Sequence, residues 1–165
     1  MRSVGLDVGG NRTGVAISDP QGTFAMPLTV LASEEEDLLI GQILEIVERY
    51  EAQCIVVGLP RHLNGQLGEQ ARKVTAFADR LSLRAKQSNL SQLDIRLWDE
   101  RLSTRAAERL KRDAGARESK LRPKRKGGPG NRSLQDKGRT DSIAAALILQ
   151  GYLDSVAEIK HRRDT

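Results

Sequence analysis

The chain has 165 residues, room for one ordinary domain of roughly 100–200 residues and not for two. Hydrophobic residues at 38% and charged residues at 30% exclude a disordered chain, and the single Cys54 excludes an internal disulfide and a cysteine-built zinc site. The net charge of +5 divides unevenly: residues 101–139 hold fourteen Lys and Arg against four acids, or +10, while the rest of the chain carries −5.

The first apolar runs read as strands over Ser3 to Asp7, Thr13 to Ser18 and about Thr23 to Leu31. With the Gly9-Gly10-Asn11 turn between the first two, they predict an antiparallel meander. Ser33 and Glu36 have capping-box spacing, and Leu38, Leu39, Ile43, Ile46 and Val47 recur at helical spacing to about Tyr50. Ile55, Val56 and Val57 form a short β-branched run, as in a strand buried on both faces. A second helix is expected from about Glu69 to Ala85, with Ala71, Val74, Phe77, Ala78 and Leu81 on its apolar side. A strand over Asp94 to Asp99 follows, then a helix capped by Ser103 or Thr104 and running to about Arg112. The Gly-, Pro- and Lys-rich stretch 115–135 reads as a flexible basic loop. The last helix is expected to open near Thr140 and Asp141 and to carry Ala144, Ala145, Ile148, Leu149 and Tyr152. The order of elements predicts an α/β fold: a mixed five-stranded sheet, made of a three-strand antiparallel meander plus two parallel strands, with helices on its faces. One domain over residues 1–158 would then end in a disordered tail, 159–165.

Three carboxylates converge in this topology. Asp7 ends the first strand and Glu100 the fifth, at the carboxyl edge where open parallel sheets hold their ligands. Asp141 precedes Ala144, Ala145, Ile148 and Leu149 by three, four, seven and eight residues, which puts it on the helix stripe that faces the sheet. Acids gathered at one point repel one another unless a cation joins them. Mg²⁺ or Mn²⁺ suits oxygen ligands, and two such ions about 3.5–4 Å apart support in-line phosphodiester displacement. The structural alternative makes Asp7 a turn residue, Glu100 a surface acid paired with Arg101, and Asp141 a favourable charge at a helix N-terminus. Asp19 ends a strand that runs the other way, and Asp99 points to the face opposite Glu100, so neither joins the set.

The runs Gly5-Leu6-Asp7-Val8-Gly9-Gly10-Asn11-Arg12-Thr13-Gly14-Val15-Ala16-Ile17-Ser18-Asp19, Ile55-Val56-Val57-Gly58-Leu59-Pro60, Asp99-Glu100-Arg101-Leu102-Ser103-Thr104 and Asp141-Ser142-Ile143-Ala144-Ala145-Ala146-Leu147-Ile148-Leu149 resemble, in order, the motifs of the YqgF family. These are pre-16S ribosomal RNA nucleases, also called Holliday-junction-resolvase-like proteins, with a ribonuclease-H-like fold. The resemblance implies that Asp7, Glu100 and Asp141 are the catalytic metal-binding acids and that the substrate is the 5′ end of a ribosomal RNA precursor. Gly10 and Asn11 stand where the family commonly has a hydroxyl residue and a lysine, so a basic phosphate contact from this turn does not carry over. The basic loop before Asp141 is also longer than the family's usual one.

The basic segment points to a nucleic-acid partner, because counterion release from phosphates favours such charge; the family resemblance implies structured RNA ahead of branched DNA, within a pre-ribosomal particle. Lys124, Arg125, Lys126, Lys137 and Arg139 are its candidate phosphate contacts, with Arg101, Ser103 and Thr104 beside Glu100. Aromatics at 3% weigh against a single-strand binder that stacks bases. His62 and His161 read as exposed, and Cys54 and Trp98 as packing residues. Uninterrupted apolar runs fall short of the roughly 18 residues of a membrane span, and no signal-peptide pattern precedes Asp7; the expectation is a cytoplasmic protein, and a monomer ahead of a dimer. The competing functions are a junction resolvase, a non-catalytic nucleic-acid scaffold and, from Asp-Val-Gly-Gly before a Thr-Gly-Val strand, an actin-like ATPase, which would need a second lobe that 165 residues do not provide.

Overall fold

A glycine-rich turn between two apolar runs closes the first hairpin. The Gly9 amide donates to the Arg12 carbonyl at 2.9 Å, and β1 (Ser3–Val8) pairs antiparallel with β2 (Arg12–Ser18) so that Asp7 stands opposite Gly14. A Cβ on Gly9 would lie 2.7 Å from the Arg12 carbonyl oxygen, which is why this corner takes glycine. The computed structural model describes residues 1–60, 66–99 and 134–163, with side chains in the last stretch from 140 onward. Within these, β3 (Ala25–Ala32), β4 (Cys54–Leu59) and β5 (Asp94–Asp99) complete one sheet in the order β3-β2-β1-β4-β5. The first two pairings are antiparallel, and β1, β4 and β5 are parallel neighbours, as the helical connections require. This is the mixed sheet expected from the sequence.

Asp19 holds the β2–β3 turn. Its carboxylate accepts the Thr23 and Phe24 amides at 2.6 and 2.8 Å, and the Phe24 amide above all keeps its pKa below the ordinary carboxylate value. Helix α1 (Glu36–Arg49) buries Leu39, Ile40, Ile43, Leu44 and Val47; Leu38, expected on that stripe, is 55% exposed. The expected Ser33–Glu36 capping box does not form. The Ser33 hydroxyl instead accepts the Glu35 amide at 3.1 Å and donates to the Glu35 carbonyl, while Glu36 pairs with Arg80 of α2 (Glu69–Lys86). Helix α2 buries Ala71, Val74, Phe77, Ala78 and Leu81, together with Ala85.

The two sides of the sheet carry separate cores. Val4, Leu6, Val15, Ile17, Ile55 and Val57 pack with α1 and α2, each side chain contributing roughly 1.5–3 kcal/mol by leaving water. Ala16, Cys54 and Val56, on the other side, pack with Ala145, Ile148, Leu149 and Leu153 of α3 (Leu134–Arg163). All six residues of β4 are buried, as its β-branched run predicts.

Helix α3 departs from expectation at both ends. It begins at Leu134, not near Thr140, so residues 134 and 135 belong to helix and not to the basic loop. Leu134, Gln135, Lys137 and Arg139 are good helix formers, and they extend the helix past the Thr140-Asp141 start signal. At the other end it runs to Arg163, which makes 159–163 helical where a disordered tail was expected. Over Thr140–Arg163 the helix is long and apolar enough to cross a membrane by length and composition. Its Ala145, Ile148, Leu149 and Leu153 are nevertheless buried in the fold.

Candidate active site

Period-two alternation places Gly5, Asp7, Arg12, Gly14 and Ala16 on the side of β1 and β2 that α3 covers. The helix lies on this surface through residues four apart. A Cβ on Gly5 would stand 2.7 Å from the Leu149 Cβ and 2.9 Å from the Ala145 carbonyl oxygen, and a Cβ on Gly14 only 2.0 Å from the Asp141 carbonyl oxygen. The glycines therefore let the backbone of α3 settle directly onto the sheet. Because Gly14 is the cross-strand partner of Asp7, the same contact delivers Asp141 to the carboxyl end of β1, beside Asp7.

The electrostatics record this approach. Asp7 is half-buried, and its pKa is raised, first by burial and then by the negative charge of Asp141. Arg12, the first residue of β2, lies against Asp141 with Nε 3.4 Å from Oδ2, the two side chains 37% and 32% exposed. Two acids and one arginine thus meet where β1, β2 and α3 converge. On the far side of β1, the Gln70 amide nitrogen donates to the Val8 carbonyl at 3.3 Å, tying the segment after Asp7 to α2.

Asp141 does not open its helix, as expected, but lies about two turns inside it. Its position is set by packing on Gly14, which removes the helix-terminus explanation for an acid here. Glu100, Arg101, Ser103, Thr104, Lys124, Arg125 and Lys126 lie outside the described residues, as do His62 and the helix expected to Arg112. Lys137 and Arg139 belong to the backbone of α3, with side chains outside the described set. Among the described residues no group of three or more His, Cys, Asp or Glu side chains is placed to hold a metal; Asp7 and Asp141 make two. Sequence reasoning missed Arg12 as the partner of Asp141 and Gly14 as the gap that admits it. The signal for Gly14 was available, since the Gly9-to-Arg12 turn fixes the register that sets it opposite Asp7.

Other features have structural explanations. Burial pushes the Cys54 thiol up to about 11, so it stays protonated, and Trp98 meets Tyr152 edge-on at 5.7 Å, in keeping with packing roles. A cleft of about 360 Å³ opens on the α1/α2 side, lined by Gly9, Gly10, Glu36, Lys73, Phe77 and Arg80 among others. Asp7 and Asp141 are not part of its wall.

Residues 1–155 match the family model described as RuvX, Holliday junction resolvase. A protein of Clostridium botulinum strain Hall, named "Putative pre-16S rRNA nuclease", is 38% identical over 158 residues, covering 96% of this chain and 100% of the relative. One of Bacillus cytotoxicus with the same name is 43% identical over 157 residues, covering 94% and 99%. Among solved structures, Thermus thermophilus RuvC in complex with a Holliday junction substrate superposes with a TM-score of 0.56 at 16% identity, covering 94% of this chain and 96% of that one. A second RuvC structure from the same organism gives 0.51 at 14% identity. The fold is thus ribonuclease-H-like, and the chain belongs to the RuvX family, the one its motifs resemble.

Proposed function

We propose that this chain is a divalent-metal-dependent nuclease that hydrolyses phosphodiester bonds and processes the 5′ end of pre-16S ribosomal RNA in the cytoplasm, with residues 1–158 acting as one domain. The observation that carries the reading is the convergence of Asp7 and Asp141, which the glycine at position 14 makes sterically feasible. The names of the relatives and of the matching family support the reaction class.

The donor set fits Mg²⁺ or Mn²⁺. It consists of carboxylate oxygens, which these hard cations favour, and burial together with the nearby charge of Asp141 disfavours the ionised form of Asp7, a cost that an added cation relieves. Asp7 and Asp141 would hold the ion or ion pair, with Glu100, next after the last residue of β5, as the third acid. The chemistry such ions supply is activation of a water and stabilisation of the leaving oxygen in an in-line displacement. The protein's share is to aim the two acids: β1 fixes the backbone of Asp7, Gly14 leaves room for Asp141, and Arg12 offsets one negative charge. Arg101, Ser103, Thr104, Lys124, Arg125, Lys126, Lys137 and Arg139 are the proposed nucleic-acid contacts, on the strength of the +10 segment.

The family description favours a second substrate, a branched DNA junction, and one assay separates the two. A ribosomal RNA precursor fragment and a four-way DNA junction are incubated with Mn²⁺ and either the parent protein or Asp7→Asn. The expected result is RNA cleavage that falls at least about 100-fold in the variant, since a metal-binding carboxylate supplies several kcal/mol of transition-state stabilisation. Equal cleavage by the two proteins would overturn the role of Asp7. Junction-only cleavage would establish the resolvase reading, and binding without cleavage of either substrate would leave a scaffold.

A further inference from the structure

Arg12 pairs with one acid of the site, and offsetting a charge is so far its one role. Its side chain comes from the strand that carries Gly14, on the same side of the sheet, and reaches the carboxylate of an acid that packs over that glycine. Asp7 lies across the hairpin, directly opposite Gly14, so the two carboxylates occupy the same end of β1. The arginine therefore neutralises one member of a mutually repelling pair, which is the electrostatic task a divalent cation would perform there.

We propose that Arg12 is an exchangeable counter-ion: it holds Asp141 in the metal-free protein, yields that carboxylate to the divalent cation, and transfers its guanidinium to a phosphate of the nucleic-acid strand. This inference rests on the reading of Asp7 and Asp141 as metal ligands. The exchange is chemically matched, because a guanidinium offers the same planar donors to a carboxylate and to a phosphate. It is also geometrically open, because the 3.4 Å pair is about one-third exposed on each side and costs little to break. Arg12 in this role competes with metal for Asp141 and cooperates with metal in holding the strand.

The two roles have opposite signs, and the test uses that opposition. Mn²⁺ binding is measured by calorimetry on the full chain without nucleic acid, for the parent, Arg12→Gln, Arg12→Lys and Asp7→Asn; binding of an RNA hairpin is measured separately with Ca²⁺ in place of Mn²⁺. Circular dichroism checks the fold of each variant. Arg12→Gln is expected to bind Mn²⁺ about two- to fivefold more tightly, the range of a partly exposed ion pair. The same variant should bind RNA more weakly, with a salt slope lower by about one counterion. Arg12→Lys, which keeps the charge, should stay near the parent for Mn²⁺. A merely structural role for Arg12 would weaken both affinities together, and that result, or no change in either, would overturn the exchange. Asp7→Asn separates the two levels of the account: Mn²⁺ binding by the parent that is lost in Asp7→Asn upholds the metal site whatever Arg12 does, and a parent that binds no Mn²⁺ overturns both.

Discussion

Beneath α1 and α2 the sheet presents Val4, Leu6, Val15 and Ile17; beneath α3, the intervening positions of the same two strands are Gly5, Asp7, Gly14 and Ala16. The first side is held by bulk, with large side chains filling the space between sheet and helices. The second is held by nearness, with the helix backbone resting where a Cβ would collide with it. Hydrophobic volume stabilises the fold and has no chemistry, whereas close backbone approach leaves room at its edge for polar groups from two elements to meet. The acids sit on the second side for that reason.

Opposite substitutions on the two sides sharpen the contrast. Leu6→Ala leaves a cavity under α1 and α2 and is expected to cost about 2–5 kcal/mol in denaturant unfolding, while the remaining folded protein keeps its cleavage rate. Gly14→Ala drives a Cβ into the backbone of α3 and should cost at least the roughly 1–3 kcal/mol of ordinary overpacking. It should also lower cleavage in proportion far beyond the loss of folded protein, because the Cβ displaces Asp141 from Asp7. Equal behaviour of the two variants per folded molecule would break the comparison.

A smaller effect concerns acidity. The folded pKa of Asp7 lies above its ordinary value of 3.8, so the native state binds the extra proton, and metal-free stability should decline as pH rises from about there through the raised pKa. The facing groups are Asp141, whose charge drives part of the shift, and Arg12, paired with Asp141. Asp7→Asn should therefore flatten that decline and melt slightly higher than the parent at neutral pH without metal. Thermal unfolding between pH 4 and 7 checks it, and a variant that is less stable than the parent across the range would contradict the sign.

How far these features were readable in advance follows from their range in sequence. The meander, the buried β4 run and the apolar side of α2 arise from local periodicity and turns, and the structure has them as expected. Asp7 and Asp141 could be paired from strand and helix phase alone. Arg12 could not, since a charged residue at a hairpin corner ordinarily reads as exposed, and its ion pair with Asp141 depends on how a long side chain is placed rather than on strand or helix phase. The Ser33 capping box failed because two local hydrogen-bonding patterns compete for one hydroxyl, and the start of α3 failed because helix propensity ran past a plausible cap.

The central claim, that Gly14 allows Asp7 and Asp141 to share one cation, is tested most directly by paramagnetic broadening of amide resonances on adding substoichiometric Mn²⁺. The account predicts that the amides of Asp7, Gly14 and Asp141 broaden first in the parent and stay sharp in Asp7→Asn. Broadening centred elsewhere in the chain, or unchanged by Asp7→Asn, would contradict it.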